Sequence, residues 1–323
     1  MDASRRDAAL GEKYAFIAMT RAPVDINLPA EFGIADDVWV TQMPPVCLSE
    51  DWKEWIGSIR AEQLLVATLW LCTACSSRTP GVLDAENVAL RDRIGRFYQG
   101  LLLATPLRMD GESVIVTGAN VDGRTGVRQM STLDNLAWTP GRPPVTITEA
   151  KCDTALRLAN KLGAFPSGRY LRLCRVLNAF MKGLHETDVR ERLHQFCRVI
   201  EGLILADPGH TRKQFKSRTE LFVGVGNHEL METIYNNRSA VEHMNDPIVT
   251  GADDTAKQKS FMRLTIIAED IARFCLQRVL LTPDLLACYE NDDSLRGFWS
   301  SSRKATLWGA SLDLATCPAP NSL

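Results

Sequence analysis

The 323-residue chain contains no run of about 18 consecutive apolar residues, so no membrane-spanning helix is expected. Its first residues, MDASRRDAALGEKY, lack the apolar core and small-residue cleavage site of a secretory signal. The nine cysteines are odd in number and scattered, which argues against a disulfide framework and fits reduced thiols in a cytoplasmic protein. Net charge is only −2, so the chain is not built throughout as a polyelectrolyte binder. There is no internal repeat and no low-complexity tract. Cys72 and Cys75 form a lone CxxC, and no second CxxC or HxxxH supplies the remaining ligands of structural zinc. The glycines of GVGNHE (224–229) precede a helix start without the GK[ST] ending of a phosphate loop. No metal and no cofactor is expected.

What is present is ordinary for a folded protein with a real core: 45% hydrophobic and 24% charged residues, at a length suited to about two domains. The charge is unevenly spread, with a net of −5 over residues 1–150 and +3 over 151–323. That imbalance permits a phosphate-bearing partner on the second half.

The first half mixes signals. GIADDVWVTQMP (33–44) and SVIVTGANV (113–121) read as strands, and VTGANVDGRTG (116–126) as a hairpin turn. The stretch 50–77 reads as one helix, with Trp52, Trp55, Ile56, Ile59, Leu64, Leu65 and Ala67 near helical spacing. That reading places Cys72 and Cys75 inside it as small core residues. A second helix spans 83–105, with Asp84 as its N-cap. TPGRPPVT (139–146), rich in proline, reads as a linker. Beyond it nearly everything is helical: 149–163, 168–185, 188–205, a short segment 213–226, then 228–244 capped by Asn227, and 256–281. Short connections between apolar-striped helices predict an antiparallel bundle. The expected architecture is thus an α+β domain over 1–147, an all-α bundle over 148–289, and an irregular tail over 290–323.

Two polar features stand out in the bundle. TRKQFKSR (211–218) gathers Arg212, Lys213, Lys216 and Arg218, either solvated surface or a landing site for phosphates. IYNNRSAVEHMNDP (234–247) sets Arg238 five residues before His243. On a helix that spacing is about 140° around the axis and roughly 7.5 Å along it, so the two do not share a face. A loosened last turn before Pro247 would help a long guanidinium reach the imidazole. The plainer partner for Arg238 is Glu242, at i,i+4.

The blocks RLHQFCRVIEGLIL, KQFKSRTELFVG and IYNNRSAVEHMND, in that order, resemble the HEPN domains (higher eukaryotes and prokaryotes nucleotide-binding). Within them the likeness is to the Apea-like branch. That branch pairs an ALExLLL helix with a KFxxR segment and then IYxxRSxxxHG. Ile200 to Leu203, Gln214 to Arg218 and Tyr235 to His243 stand at the matching places, and the resemblance covers roughly residues 165–281. Met244 departs from the branch's glycine, and Ser239 follows the arginine where asparagine is commoner across HEPN domains. The first domain also resembles the mixed α/β region that often precedes this type.

The resemblance implies a metal-independent endoribonuclease of a bacterial anti-phage defence or toxin-like system. Arg238 and His243 would be catalytic, supplied twice by a homodimer. Tyr235, Asn236 and Ser239 would orient the scissile phosphate, and Glu201 would fix Arg238 or Arg218 or else serve as a salt bridge of the bundle. RNA is the expected partner through Arg212, Lys213 and Lys216, with an antitoxin or phage trigger protein as a further one and the first domain as sensor or restraint. The alternatives are a non-catalytic HEPN module binding RNA, nucleotide or a protein, and a scaffold that dimerises through its bundle.

Overall fold

The structure, a computed structural model, describes residues 12–20, 25–46, 50–76, 85–107, 111–121, 124–143, 145–166, 168–243, 254–315 and 317. Asp84, Met244 and Pro247 lie outside the described residues, as does the side chain of Trp52. The chain divides into two compact units: Met1–Leu136 with Pro144–Gly163, and Ala137–Pro143 with Ala164–Leu323.

In the first unit the strands are β1 (Glu12–Thr20), β2 (Ile26–Asn27), β3 (Glu31–Ala35), β4 (Val38–Thr41), β5 (Ala67–Ser76), β6 (Ser113–Val121), β7 (Arg124–Leu133) and β8 (Ile147–Thr148). Its helices are α1 (Glu50–Ile56), α2 (Ser58–Leu65), α3 (Ala85–Ala104) and α4 (Glu149–Gly163). Six strands form an antiparallel sheet in the order β3-β4-β5-β1-β6-β7. Alternation along the central strand sends Tyr14, Phe16 and Ala18 to one face, where they meet Trp39, Trp70, Val114 and helices α1 and α2. The other face carries α3, to which buried Lys13 donates a 2.6 Å bond at Glu86.

The stretch expected as a single helix over 50–77 is instead α1, α2 and β5. Gly57 stands at φ 86°, open to glycine but strained for other residues, and separates the two short helices. β5 is covered on both faces, so its apolar residues run on without alternation, a pattern that periodicity cannot tell from a buried helix. The CxxC therefore lies on a strand. Cys72 is buried against the aromatic face and Cys75, three residues on, points to the opposite side. The expected strand 33–44 is the β3–β4 hairpin, and 113–121 is β6, paired antiparallel with β7; of the turn expected over 116–126, 122 and 123 lie outside the described residues and the rest is strand.

The helix over 149–163, expected in the bundle, packs on α3 of the sheet unit as α4. The reason is steric. A Cβ on Gly100 would lie 2.1 Å from the Ala155 carbonyl oxygen, so only glycine lets the two helix backbones come so close. Residues 139–143 of the expected linker, by contrast, belong to the helical unit.

The second unit contains α5 (Leu171–His185), α6 (Val189–Ile204), α7 (Thr211–Val223), α8 (His228–Glu242) and α9 (Asp254–Leu281), then α10 (Pro283–Cys288), α11 (Asp292–Ser300) and α12 (Lys304–Trp308). Among the described residues no helix is long and apolar enough to cross a membrane. α6 is central and packs against α5, α7, α8 and α9. Asp188 starts it, its carboxylate accepting the Arg190 and Glu191 N–H groups at 2.8 and 3.2 Å. Asn227 sits at the start of α8 without capping it; its amide donates to Val223 O at 2.7 Å and closes α7 instead.

The described part of the segment expected as an irregular tail forms α11 and α12 and buries Leu295, Phe298, Trp299 and Trp308. Trp308 is fully buried with its ring 4.5 Å from that of Phe222, and the Trp299 indole and Tyr289 hydroxyl both donate to Leu203 O at 3.3 Å. Arg172 holds Asp292 through two bonds of 2.6 and 2.8 Å.

One buried carboxylate gathers three guanidinium groups. Glu269 of α9 accepts from Arg273 at 2.5 Å and Arg192 of α6 at 3.1 Å, and lies 3.3 Å from Arg142. Arg142 also donates to Asp270 at 2.9 Å and Ile266 O at 3.2 Å, while Arg192 donates to Ala137 O. Burial alone would raise the Glu269 pKa, but Arg142, Arg192 and Arg273 outweigh it and hold the group at about 2.

Glu269→Gln therefore strands buried positive charge and is expected to cost about 3–5 kcal/mol in urea unfolding. Because the folded-state pKa lies below the ordinary 4.5, the stabilisation is fully present above that value and fades as pH falls towards about 2. Acid unfolding followed by circular dichroism should show that loss in the wild type and not in the glutamine variant.

Candidate functional site on the α6–α8 face

α8 is short of apolar residues, and only Met231, Ile234, Asn237 and Ala240 are buried. Those positions form its inner stripe. Glu232, Tyr235, Arg238 and Glu242, spaced by three, three and four residues, form a neighbouring stripe.

At its centre is Arg238. Its Nη2 donates to Glu201 Oε2 of α6 at 2.9 Å and its Nη1 to Glu242 Oε2 one turn on. The guanidinium and the Glu201 side chain are largely buried, at 13% and 17% exposure, while Glu242 is 42% exposed. Burial raises the Glu201 pKa, with Arg238 opposing it. Burial likewise raises that of Tyr235, reinforced by Glu201. The Tyr235 ring packs on Phe215 of α7 at 5.3 Å between centroids.

A residue passed over in the sequence reading belongs to the same cluster. His194 lies seven residues before Glu201 on α6, two helical turns and nearly the same face. Burial first, and the Arg238 guanidinium second, hold its imidazole below the ordinary 6.5; Glu191, Glu242 and Arg198 also act on it. Its Nδ1, together with Arg238 Nε and Glu201 Oε1, is buried and makes no hydrogen bond to the protein. The available signal was the seven-residue interval from His194 to Glu201.

His243 stands elsewhere on the helix. It is exposed and is the C-cap residue of α8, its N–H still donating to Ser239 O at 3.1 Å. Up to His243 the turn therefore stays regular. The helical offset of about 140° from Arg238 persists, and Arg238 turns towards α6. Asn236 and Ser239 are half-buried on α8.

The basic segment divides in two. Arg218 is occupied structurally: its Nη1 donates to Ile204 O and Leu205 O at 2.7 and 2.5 Å, and its guanidinium lies 5.4 Å above the Trp299 ring. Those carbonyls end α6, so Arg218 closes the helix carrying Glu201 and does not join Arg238. Arg212, Lys213 and Lys216 instead line an open cleft of about 580 Å³ with His210, His228 and Glu232. Glu232 binds Arg212 at 2.5 Å and Lys216 at 2.6 Å, and the hydrogen bond from Lys216, followed by that from Arg212, lowers its pKa. Arg212 also acts on Tyr235. The cleft and the Arg238 cluster thus adjoin along one face of α8.

No family model, curated protein or solved structure matches the chain.

The two partners of Arg238 should differ in weight. Glu201→Ala leaves a largely buried guanidinium short of a partner and is expected to cost about 1–3 kcal/mol. Glu242→Ala removes an exposed i,i+4 partner and is expected to cost less than about 1 kcal/mol. Urea unfolding of the two variants measures both, and equal losses would contradict the assigned hierarchy.

Proposed function

We propose that this protein is a metal-independent endoribonuclease of the HEPN type, with Arg238 and His243 at its centre. The observation that carries the reading is the Arg238 guanidinium, held by Glu201 on the same face of α8 as a cleft lined by Arg212, Lys213 and Lys216. Backbone phosphates of RNA suit such a cleft, and a fixed, permanently charged, bidentate donor suits the phosphate undergoing reaction.

In the reaction the RNA 2′-OH attacks the adjacent phosphorus while a base takes its proton. The P–O5′ bond breaks, the leaving O5′ receives a proton, and the products are a 2′,3′-cyclic phosphate and a 5′-OH. Arg238 stabilises charge developing on the non-bridging oxygens. His243, exposed at the end of α8, exchanges a proton with the reacting oxygens. A second copy of the chain, as HEPN nucleases commonly provide, would bring a second His243 to the cleft. Bacterial anti-phage defence or a toxin-like system is the setting we propose, with an antitoxin or phage trigger protein as regulator. The sheet unit would take the sensing role. A cavity of about 550 Å³ floored by Tyr14, Phe16, Trp39 and Cys72 gives it a place for a ligand.

A second reading rests on the two carboxylates that hold Arg238. An arginine neutralised in this way also suits a non-catalytic module that binds RNA or nucleotide through the neighbouring cleft.

Incubation with total RNA in EDTA separates the two. On the first reading the wild type leaves 2′,3′-cyclic ends, and Arg238→Ala and His243→Ala each reduce cleavage by about 10²-fold or more. Binding without cleavage in all three proteins would establish the second. On either reading Lys213→Glu weakens RNA binding across sequences and flattens the dependence of affinity on salt, which fluorescence anisotropy at several salt concentrations measures.

A further inference from the structure

The reaction needs one group to accept a proton and one to supply it, and Arg238 can do neither. Glu201 and Glu242 both accept from its guanidinium, and Cys197 nearby is fully buried. Tyr235 is driven further into its protonated form by burial and by Glu201. Two imidazoles are left beside this cluster, His243 and His194; His210 and His228 line the adjoining cleft, where His228 meets Glu220. His243 points about 140° away from Arg238 on a helix that stays regular to its end.

We propose that His194 is the base of this site, acting in the same chain as Arg238, with the His243 of a second copy as the acid. The inference rests on the ribonuclease reading. Its footing is geometric. Two turns before Glu201, His194 stands on the α6 face that meets Arg238, and Glu242 of the last α8 turn acts on it as well. That places it beside the turn that ends at His243. The charged groups acting on it are Glu191 and Arg198 of α6 and Arg238 and Glu242 of α8. Its Nδ1 makes no bond to the protein, so the ring is not tied into the fold by that atom. Burial and Arg238 favour the neutral imidazole, the form a base requires at neutral pH. In the step itself the imidazole takes the 2′-OH proton as the 2′-oxygen bonds phosphorus. The O5′ leaves with a proton from the imidazolium of the second copy's His243, and His194 afterwards returns its proton to solvent.

The test is the pH profile of kcat/KM in EDTA for the wild type and His194→Gln, with thermal unfolding of both. We expect the variant to lose about 10²-fold or more in kcat with a small change in KM, and to lose the acidic limb of the profile. A purely structural histidine would lower the melting temperature and leave that limb in place, which would overturn the proposal while leaving the ribonuclease reading intact. A wild type that cleaves no RNA would overturn both. Should His194→Gln not fold, NMR titration of the wild-type histidines with uridine 3′-monophosphate decides the matter. Binding of the phosphate should raise the pKa of His194, and a His194 signal that stays still while the Arg238 Nε signal moves would overturn the proposal.

Discussion

Glu269 is the residue on which the helical unit depends. A carboxylate removed from water is stable only if its charge is met at close range, and here three guanidinium groups do so. Each comes from a different part of the chain: Arg142 from the segment ahead of α4, Arg192 from α6 and Arg273 from α9 itself. Arg192 also donates from Nη1 to Ala137 O, and Ala137 in turn donates to Leu184 O at the end of α5. The rings of Phe196 and Phe180 lie under Arg192 and Arg273 at 5.7 and 5.2 Å. One buried cluster therefore joins α5, α6, α9 and the 137–143 strap, and it fixes the rotation of α6 about its own axis. That rotation decides which residues of α6 face α8. With Arg192 turned inward to Glu269, His194 and Glu201 fall on the side that meets Arg238.

The opposite end of α6 is fixed by a second guanidinium. Arg218 takes the carbonyls of Ile204 and Leu205, and Tyr289 and Trp299 take that of Leu203. A helix end offers several carbonyls without intrahelical partners, and three side chains from α7, α10–α11 and α11 satisfy them here. The C-terminal segment is thus part of the scaffold of the candidate site. Arg218 has a role in that site only through the helix it terminates.

Much of this was legible from residue order, and the remainder was not for identifiable reasons. The helices read over 168–185, 188–205, 228–244 and 256–281 followed from apolar spacing and short polar turns, because a helix with one buried stripe displays its period, whereas α7 was read only as a short segment. β1 and β5 did not, since strands covered on both faces lose their alternation. The placement of α4 turned on Gly100, whose meaning appears only when another helix crosses it. Glu201 and Arg238 were legible as a pair through the resemblance. His194 was not, because its seven-residue interval from Glu201 points to Arg238 only once α6 and α8 are seen to pack together. Arg218 looked like part of a basic patch because sequence counts charges and cannot show which of them cap a helix.

The charge balance around Arg238 carries its own consequence. One guanidinium between two carboxylates leaves the cluster with a net negative charge, which discourages diffuse anions. The two carboxylates are unequal: Glu201 is 17% exposed and Glu242 42% exposed. An exposed i,i+4 pair contributes only a few tenths of a kcal/mol, so Glu242 is released at little cost. A phosphodiester bears the same single negative charge and the same kind of acceptor oxygens. Its taking the place of Glu242 at the guanidinium would keep Glu201 in position to aim that group. Glu242 falls within the four residues that separate Arg238 from His243. The stretch that carries both proposed catalytic groups therefore also carries a weak, replaceable counter-ion for one of them.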